Sequence, residues 1–466
     1  MEATAADATV AGAKVSETVP PKSLSRIKAL SSGERPAFLS GLSGVFDGWE
    51  KAGEGVLRRR LSRPLARPVP AALPEALPVV LPDLAGTGGT DRTLSPGRIL
   101  FFDLETTGLS GGAGTVAFLA AFGTFGKASG RKNAVSEYAV LNIDQFLLLD
   151  YSGEPDFLDA VLGLINDPVI NDSRFQAPYL TTYNGKTFDS QILKTRCLMN
   201  GFLPPKLPQL DLLYPSRRMW KRVLPNCSQA TVETMALGLD RTGDIPGSLA
   251  PDIWFDFLKS DGSEAASRRL LDICDHNVKD IEGMAALFTA FCEIAKRPLE
   301  ASADFRCDTE HLAMIWRRQQ RLLGKPPRKP PPLFQGTNAS DGGIEKTSAL
   351  LLEAAARDYP RSCLRLGFDL FREGRFEEGR AALARIANGN GPWRVPRSPV
   401  VTALALRSLA IDAARRLGSA EKAAAFLEKA LLPDSPEGGP PASGQAGGLP
   451  RRLKEDLERR LAAQRP

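Results

Sequence analysis

The chain has 466 residues and a formal net charge of +6, with 43% of its residues hydrophobic and 24% charged. That length and balance bury a large core in two or three units and exclude a wholly disordered chain. No run approaches the roughly 18 uninterrupted apolar residues of a membrane span, and the start of the chain, MEATAADATV, lacks a basic segment before an apolar core, so a soluble cytoplasmic protein with no membrane partner is expected.

In chain order, residues 1–35 are rich in Ala, Thr, Ser and Lys without a sustained period, and are expected to be disordered. Residues 36–95 form a Pro/Arg-rich extension, with Arg58, Arg59, Arg60, Arg63 and Arg67 followed by several prolines, and read as an extended lead-in. From Arg98 to about Leu141 three strand-like runs follow one another. The first, Ile99 to Phe102, ends in Asp103 and Glu105. Strand side chains alternate faces, so these two carboxylates point the same way from the end of a strand suited to a buried sheet. Two like charges side by side repel, and a divalent cation with a taste for hard oxygen ligands, Mg²⁺ or Mn²⁺, is the usual remedy.

The glycine-rich run Ser110–Thr115 lacks the Gly-Lys-Ser/Thr ending of a phosphate-binding loop and reads as a hairpin turn. A helix is predicted near Asp156–Ile165, then a strand at Tyr179. Next come a turn through Asn184, Gly185 and Lys186 and an amphipathic helix with Asp189 in its first turn. A third acidic position, Asp280, lies four residues after His276 on a helix running to about Lys296. The main apolar stripe of that helix is Leu271, Cys274, Val278, Ile281, Ala285 and Phe288. His276 and Asp280 sit inside a second, otherwise apolar row, which points to a partly enclosed site.

Basic residues with a nearby aromatic suit a single nucleic-acid strand, whose phosphates need cations and whose bases can stack. Arg217, Arg218, Lys221 and Arg222 around Trp220 are one such cluster, and Arg317, Arg318 and Arg321 beside Trp316 another. Residues 301–345 comprise a helix and a proline-rich linker, GKPPRKPPPLF at 324–334. Residues 346–433 are helical throughout. There the pattern beginning at Gly374 recurs loosely at Gly418, forty-four residues later, which fits a 34-residue tetratricopeptide-like unit carrying the insert NGNGPWRVPR. Such paired helices usually present a groove to a protein partner, although a small bundle packed on the preceding domain fits as well. Residues 434–466 hold a Pro/Gly-rich linker and a charged terminal helix. Six cysteines are scattered without a C-x-x-C pair, which argues against a zinc site or a disulfide framework.

On DLETTGLSGGAGTVAF, YNGKTFD, DLLYPSRRMWK, RTGDIPG and HNVKD, the region from about 96 to 295 resembles the DEDD exonuclease superfamily on a ribonuclease H-like fold, and more narrowly its YprB-like branch, in which that domain is joined to helical repeats. The resemblance implies an α/β unit at 96–300, a mixed sheet flanked by helices, followed by the all-α tetratricopeptide-like module. It implies a 3′→5′ exonuclease acting on DNA or RNA, on a single-stranded end, with two Mg²⁺ or Mn²⁺ ions. Asp103 would bridge both ions, Glu105 and Asp280 would complete the site carrying the attacking water, and Asp189 would serve the second ion. His276 would orient that water or take its proton; better-known relatives place a Tyr four residues before the last Asp, or a His five before it, whereas His276 precedes Asp280 by four. Thr106, Asn184, Lys186, Arg217 and Arg218 are candidate contacts to the substrate strand. A structure-specific endonuclease on the same fold, and a non-catalytic nucleic-acid-binding scaffold, are the competing readings.

Overall fold

A computed structural model describes residues 44–85, 95–108, 114–127, 137–167, 178–323, 342–432 and 449–464. The segment 1–35, the glycine-rich turn, the 324–334 linker and the Pro/Gly segment after 434 lie wholly or in large part outside the described residues.

Seven strands form one mixed sheet: β1 (Trp49–Gly53), β2 (Val56–Pro70), β3 (Ile99–Thr106), β4 (Ala117–Gly126), β5 (Glu137–Leu148), β6 (Tyr179–Thr182) and β7 (Gln209–Asp211), in the order β1-β2-β5-β4-β3-β6-β7. The first five positions pair antiparallel, and β6 and β7 run parallel to β3. The stretch read as a lead-in is therefore a member of the sheet. Its prolines are tolerated because β1 covers only the first four residues of β2, Val56–Arg59, so among the described residues no strand pairs with the outer edge of Pro64 to Pro70, and the register slips between Pro64 and Val69.

The central strand β3 is apolar on both faces because both are covered. Ile99 and Phe101 belong to one core; Leu100, Phe102 and Leu104 belong to the other. Each fully buried phenylalanine contributes on the order of 1.5–3 kcal/mol. The second core is closed by α1 (Glu154–Ile165), α2 (Asp189–Met199) and α4 (Ala250–Lys259), with Trp254 stacked on Phe118. The first is closed by α3 (Leu213–Trp220) and by most of α5 (Glu264–Lys296). Leu270, Ile273 and Cys274 of α5 pack into the second core, whereas Val278, Ile281, Ala285 and Phe288 pack into the first. His276 and Asn277 fall at the changeover.

After α6 (Pro298–Asp304), α7 (Thr309–Leu323) and α8 (Gly342–Asp358) place Trp316, Leu351 and Ala355 in the core that holds Phe101 and Trp220. The next four helices, α9 (Pro360–Arg372), α10 (Phe376–Ala387), α11 (Pro399–Arg415) and α12 (Ala420–Leu431), pack in sequence, and α13 (Arg451–Ala462) adds Leu457 to their separate core. The loose repeat is visible in the backbone: α10 and α12 each start two residues after a left-handed glycine, Gly374 at φ +80° and Gly418 at φ +62°. Among the described residues no helix is long and apolar enough to cross a membrane.

Candidate metal centre

Asp103 and Glu105 lie opposite Ala121 and Leu119 of β4. Two residues earlier, Phe101 faces Gly123, where a Cβ would come within 2.5 Å of Ile281 Cγ2 and 3.3 Å of Phe101 Cβ. The missing side chain lets α5 lie close over the sheet and carries Asp280, the neighbour of Ile281, to the end of β3. Oxygens of Glu105 and Asp280 and a ring nitrogen of His276 thereby fall within 4.8 Å of one another. Asp189, the first residue of α2, is buried, and its charge acts on both Asp103 and Glu105.

The electrostatics of this cluster are unfavourable. Burial, then the charges of Asp280, Asp189 and Glu105, push the Asp103 carboxyl well above the usual range, against which a hydrogen bond from Asn277 Nδ2 to Oδ2, 2.7 Å long, works in the other direction. Glu105 is pushed up by burial and by Asp280, Asp189 and Asp244. Asp189 is raised to about 7 by burial, with its own helix's backbone hydrogen bonding opposing and Asp211 and Asp280 adding. Hard oxygen donors that repel one another in a recess are suited to a small divalent cation, whose charge reverses the penalty. The donor set therefore fits Mg²⁺ or Mn²⁺.

One wall is built by the segment between α3 and α4. Arg241, little exposed, reaches three carboxylates: Nη2 lies 2.6 Å from Asp280 Oδ1, Nη1 lies 2.8 Å from Asp244 Oδ2, and Nε donates to Glu233 Oε2 at 2.6 Å. Glu233 is wholly buried against α5, where a Cβ on Gly283 would overlap its carboxylate. Burial raises the Glu233 carboxyl to about 7 although Arg241 and Gln229 oppose the rise. Burial also works to raise Asp244, yet hydrogen bonds from Arg241 and Lys279 and the nearby His276 ring hold it below its usual value. Asp244 Oδ2 lies 3.0 Å from His276 Nδ1, and His276 Nε2 lies 3.4 Å from Asp280 Oδ2. A carboxylate at Nδ1 favours the tautomer with its proton there and leaves the Nε2 lone pair toward the acidic cluster. Gly247 backs the ring so closely that a Cβ would sit 3.0 Å from Nε2.

The remaining predicted residues divide. Thr106 is buried and its hydroxyl donates to the Gly108 carbonyl at 2.9 Å. Asn184 takes φ +68°, a left-handed conformation that asparagine tolerates, and its N–H donates to Asp211 Oδ1 at 2.8 Å. Lys186 bonds Asp211 through its N–H and pairs with Asp83 through Nζ at 2.6 Å. Both residues are thus engaged in shaping the turn that delivers Asp189. Arg217 is exposed and Arg218 half-buried on α3, the latter close enough to Arg318 of α7 for burial and that like charge to lower its pKa.

The aromatic part of the basic clusters is a correction. Trp220 is fully buried with Nε1 donating to the Phe305 carbonyl at 2.8 Å, and Trp316 is in the same core, so neither can stack on a base. The early arginines are largely engaged within the chain: Arg58 with Asp144, Arg59 with Gln145 and Asp275, Arg60 with Glu50 and Arg63 with Glu282. Reading the sequence gave no role to Arg241, Asp244 or Asn277, although RTGDIPG and HNVKD contain them.

Residues 100–292 match the sequence model of the RNase_H superfamily. The chain is also 34% identical over 193 residues to a protein of Bacillus subtilis (strain 168) named "Uncharacterized protein YprB", a match covering 41% of each chain. The chain thus spans about two-fifths of that relative's length. The matched segment is a ribonuclease H-like domain, and the helical region follows it.

Proposed function

We propose that this ribonuclease H-like domain is a divalent-metal-dependent nuclease that trims nucleic acid from a 3′ end by a two-metal mechanism. The observation that supports the reading is the cluster of Glu105, Asp280 and His276, from β3 and α5, together with the mutual charge effects that tie Asp103 and Asp189 to it. Asp103, Glu105, Asp189 and Asp280 would hold the ions, Mg²⁺ or Mn²⁺. Bound there, such ions supply Lewis acidity at the phosphate and water acidified toward neutral pH.

The protein's own share of the chemistry follows from the wall residues. Asp244 lies beside Nδ1 of the His276 ring, and Nε2 faces the acidic cluster, where an imidazole can act as general base toward a water. Arg241 holds one oxygen of Asp280 and leaves the other facing the cluster. Arg217 and Arg218 supply cations to the strand's phosphates, without stacking from Trp220. The 3′→5′ polarity rests on the resemblance to DEDD exonucleases. The helices from α9 to α12 suit a protein partner, and six unpaired cysteines suit a reducing, cytoplasmic setting.

The test is a panel of 5′-labelled and internally labelled DNA and RNA oligomers incubated with Mg²⁺ or Mn²⁺, beside Asp103→Ala. Ladders shortening from the 3′ end, lost in the variant, are expected. Internal cuts would favour the endonuclease, and intact strands under every metal, with binding retained, would leave a scaffold.

A further inference from the structure

Behind Asp103 runs a buried chain of polar groups that no part of the proposed chemistry uses. Asn277 Nδ2 donates to Asp103 Oδ2 at 2.7 Å, and Gln145 Nε2 donates to Asn277 Oδ1 at 2.9 Å and to the Cys274 carbonyl at 2.8 Å. Gln145 Oε1 in turn accepts from Arg59 Nε at 3.0 Å and Nη2 at 2.7 Å. Gln145 and Asn277 are both wholly buried. The four residues come from β2, β5, α5 and β3.

We infer that Arg59, Gln145 and Asn277 form a positioning relay that fixes the orientation of the Asp103 carboxylate for metal binding, and that β2 is therefore part of the catalytic unit although it lies outside the matched residues 100–292.

The polarity of the chain supports this. Guanidinium has only donors, an ionised carboxylate only acceptors, and each primary amide carries one end of each kind. With Arg59 at one end, Gln145 must turn its oxygen to Arg59 and its NH₂ to the Cys274 carbonyl and to Asn277. Asn277 must then turn its NH₂ to Asp103. The donor-only Arg59 end alone dictates both amide orientations. Every polar atom along the path is satisfied, which is the condition under which a buried network rigidifies rather than destabilises. An apolar pair would have filled the same space at lower desolvation cost. Arg59 is itself held by the Trp49 ring, 4.9 Å from its guanidinium carbon, and by Asp275 at 2.9 Å.

The inference rests on the metal-site reading above, so its test reads Mn²⁺ binding by the full chain without nucleic acid, alongside strand cleavage and the metal-free melting temperature. Gln145→Glu is the central variant: it keeps shape and the acceptor for Arg59 but removes the donor to Asn277. It and Asn277→Leu should each weaken Mn²⁺ binding by about 10–100-fold, the usual effect of losing a group that orients a metal ligand. Arg59→Met should weaken it about tenfold, and Arg59→Lys should stay within about threefold of the parent because one donor remains. Where cleavage is measured, kcat falls and KM does not. If Gln145→Glu does not fold, Arg59→Met, at the far end of the relay, decides.

Parent-like Mn²⁺ affinity in the folded relay variants, with strand cleavage intact, overturns the relay alone. Weakened Mn²⁺ binding in a protein that cuts no strand upholds the relay and overturns the nuclease. A parent protein that binds no Mn²⁺ overturns both.

Discussion

Arg241 Nη2 lies 2.6 Å from Asp280 Oδ1, while Oδ2 of the same carboxylate lies 3.4 Å from His276 Nε2. One arginine thus sets the orientation of a proposed metal ligand and also neutralises Glu233, whose side chain is 1% exposed. Arg241→Gln strands that glutamate in the core, so a loss of about 3–5 kcal/mol is expected in urea unfolding. Replacing the pair together, Arg241→Leu with Glu233→Leu, should recover part of it. A loss below about 1 kcal/mol for the single change would mean that Glu233 finds water or another partner.

His276 is predicted to act through Nε2. His276→Ala should lower kcat by about 10²–10⁴-fold, the range for a positioned general base. Gly247→Val tests the same atom differently, because a Cβ there stands 3.0 Å from Nε2 and a branched side chain must push the ring. It should lower kcat by up to about 100-fold, as ångström-scale misplacement does. Parent-like turnover in Gly247→Val would show that the ring position is immaterial.

The acidic cluster makes metal-free stability depend on pH in a defined direction. The Asp189 carboxyl rises from 3.8 in its ordinary setting to about 7 in the fold, and Asp103 and Glu105 are displaced the same way. Across that window the folded protein keeps protons that the unfolded chain has released, so this contribution to stability falls as pH rises from about 4 to about 7. Metal-free protein should melt lower at pH 8 than at pH 6, Asp189→Asn should shrink the difference, and saturating Mn²⁺ should close it. Since the ion competes with those protons, Mn²⁺ affinity should weaken as pH drops below about 7, with protons released on binding. A pH-independent Mn²⁺ affinity would be incompatible with these carboxyls holding protons.

The acidic positions were legible because strand alternation and helical spacing are local. Asp103 and Glu105 declare a shared face, and Asp189 and Asp280 sit on helices whose apolar rhythm is plain. The supports were not legible. Gln145 reads as one polar residue before the apolar run Phe146-Leu147-Leu148, and Arg59 as one of several arginines; only the pairing of β2 with β5, which sets Arg59 opposite Gln145, joins them. The reading of Trp220 failed for a similar reason. An aromatic beside arginines fits a stacking platform, but Met219 and Trp220 belong to the apolar side of α3, and the core claims the indole. Three consecutive strands were foreseen from their apolar runs and the ribonuclease H-like sheet from the resemblance, whereas the prolines of β2 hid two further strands from a propensity argument.

Gly123 is the position where packing and chemistry meet most directly. Gly123→Val places atoms where Ile281 Cγ2 now lies, 2.5 Å from the new Cβ, so α5 must lift from the sheet. Overpacking of this kind costs about 1–3 kcal/mol. Because Asp280 and Asn277 ride on the same helix, turnover should fall further than the stability loss accounts for, by about 100-fold for a shift near 1 Å. Melting and kcat measured together give the outcome, and a variant that is destabilised yet turns over normally would break the link between Gly123 and the site.

The basic face of α3 predicts a salt effect. Arg218 stands near Arg318, and among the described residues neither it nor Arg217 forms an ion pair with a carboxylate, unlike Arg222, which pairs with Glu310 at 2.6 Å and Asp308 at 3.3 Å. If both contact phosphates of a single strand, each releases counterions with a slope of about 0.7 in log affinity against log salt. The double change Arg217→Ala, Arg218→Ala should flatten that slope by about 1.4 and raise KM at moderate salt, with kcat kept. A slope unchanged by the double variant would move the strand to another face of the domain.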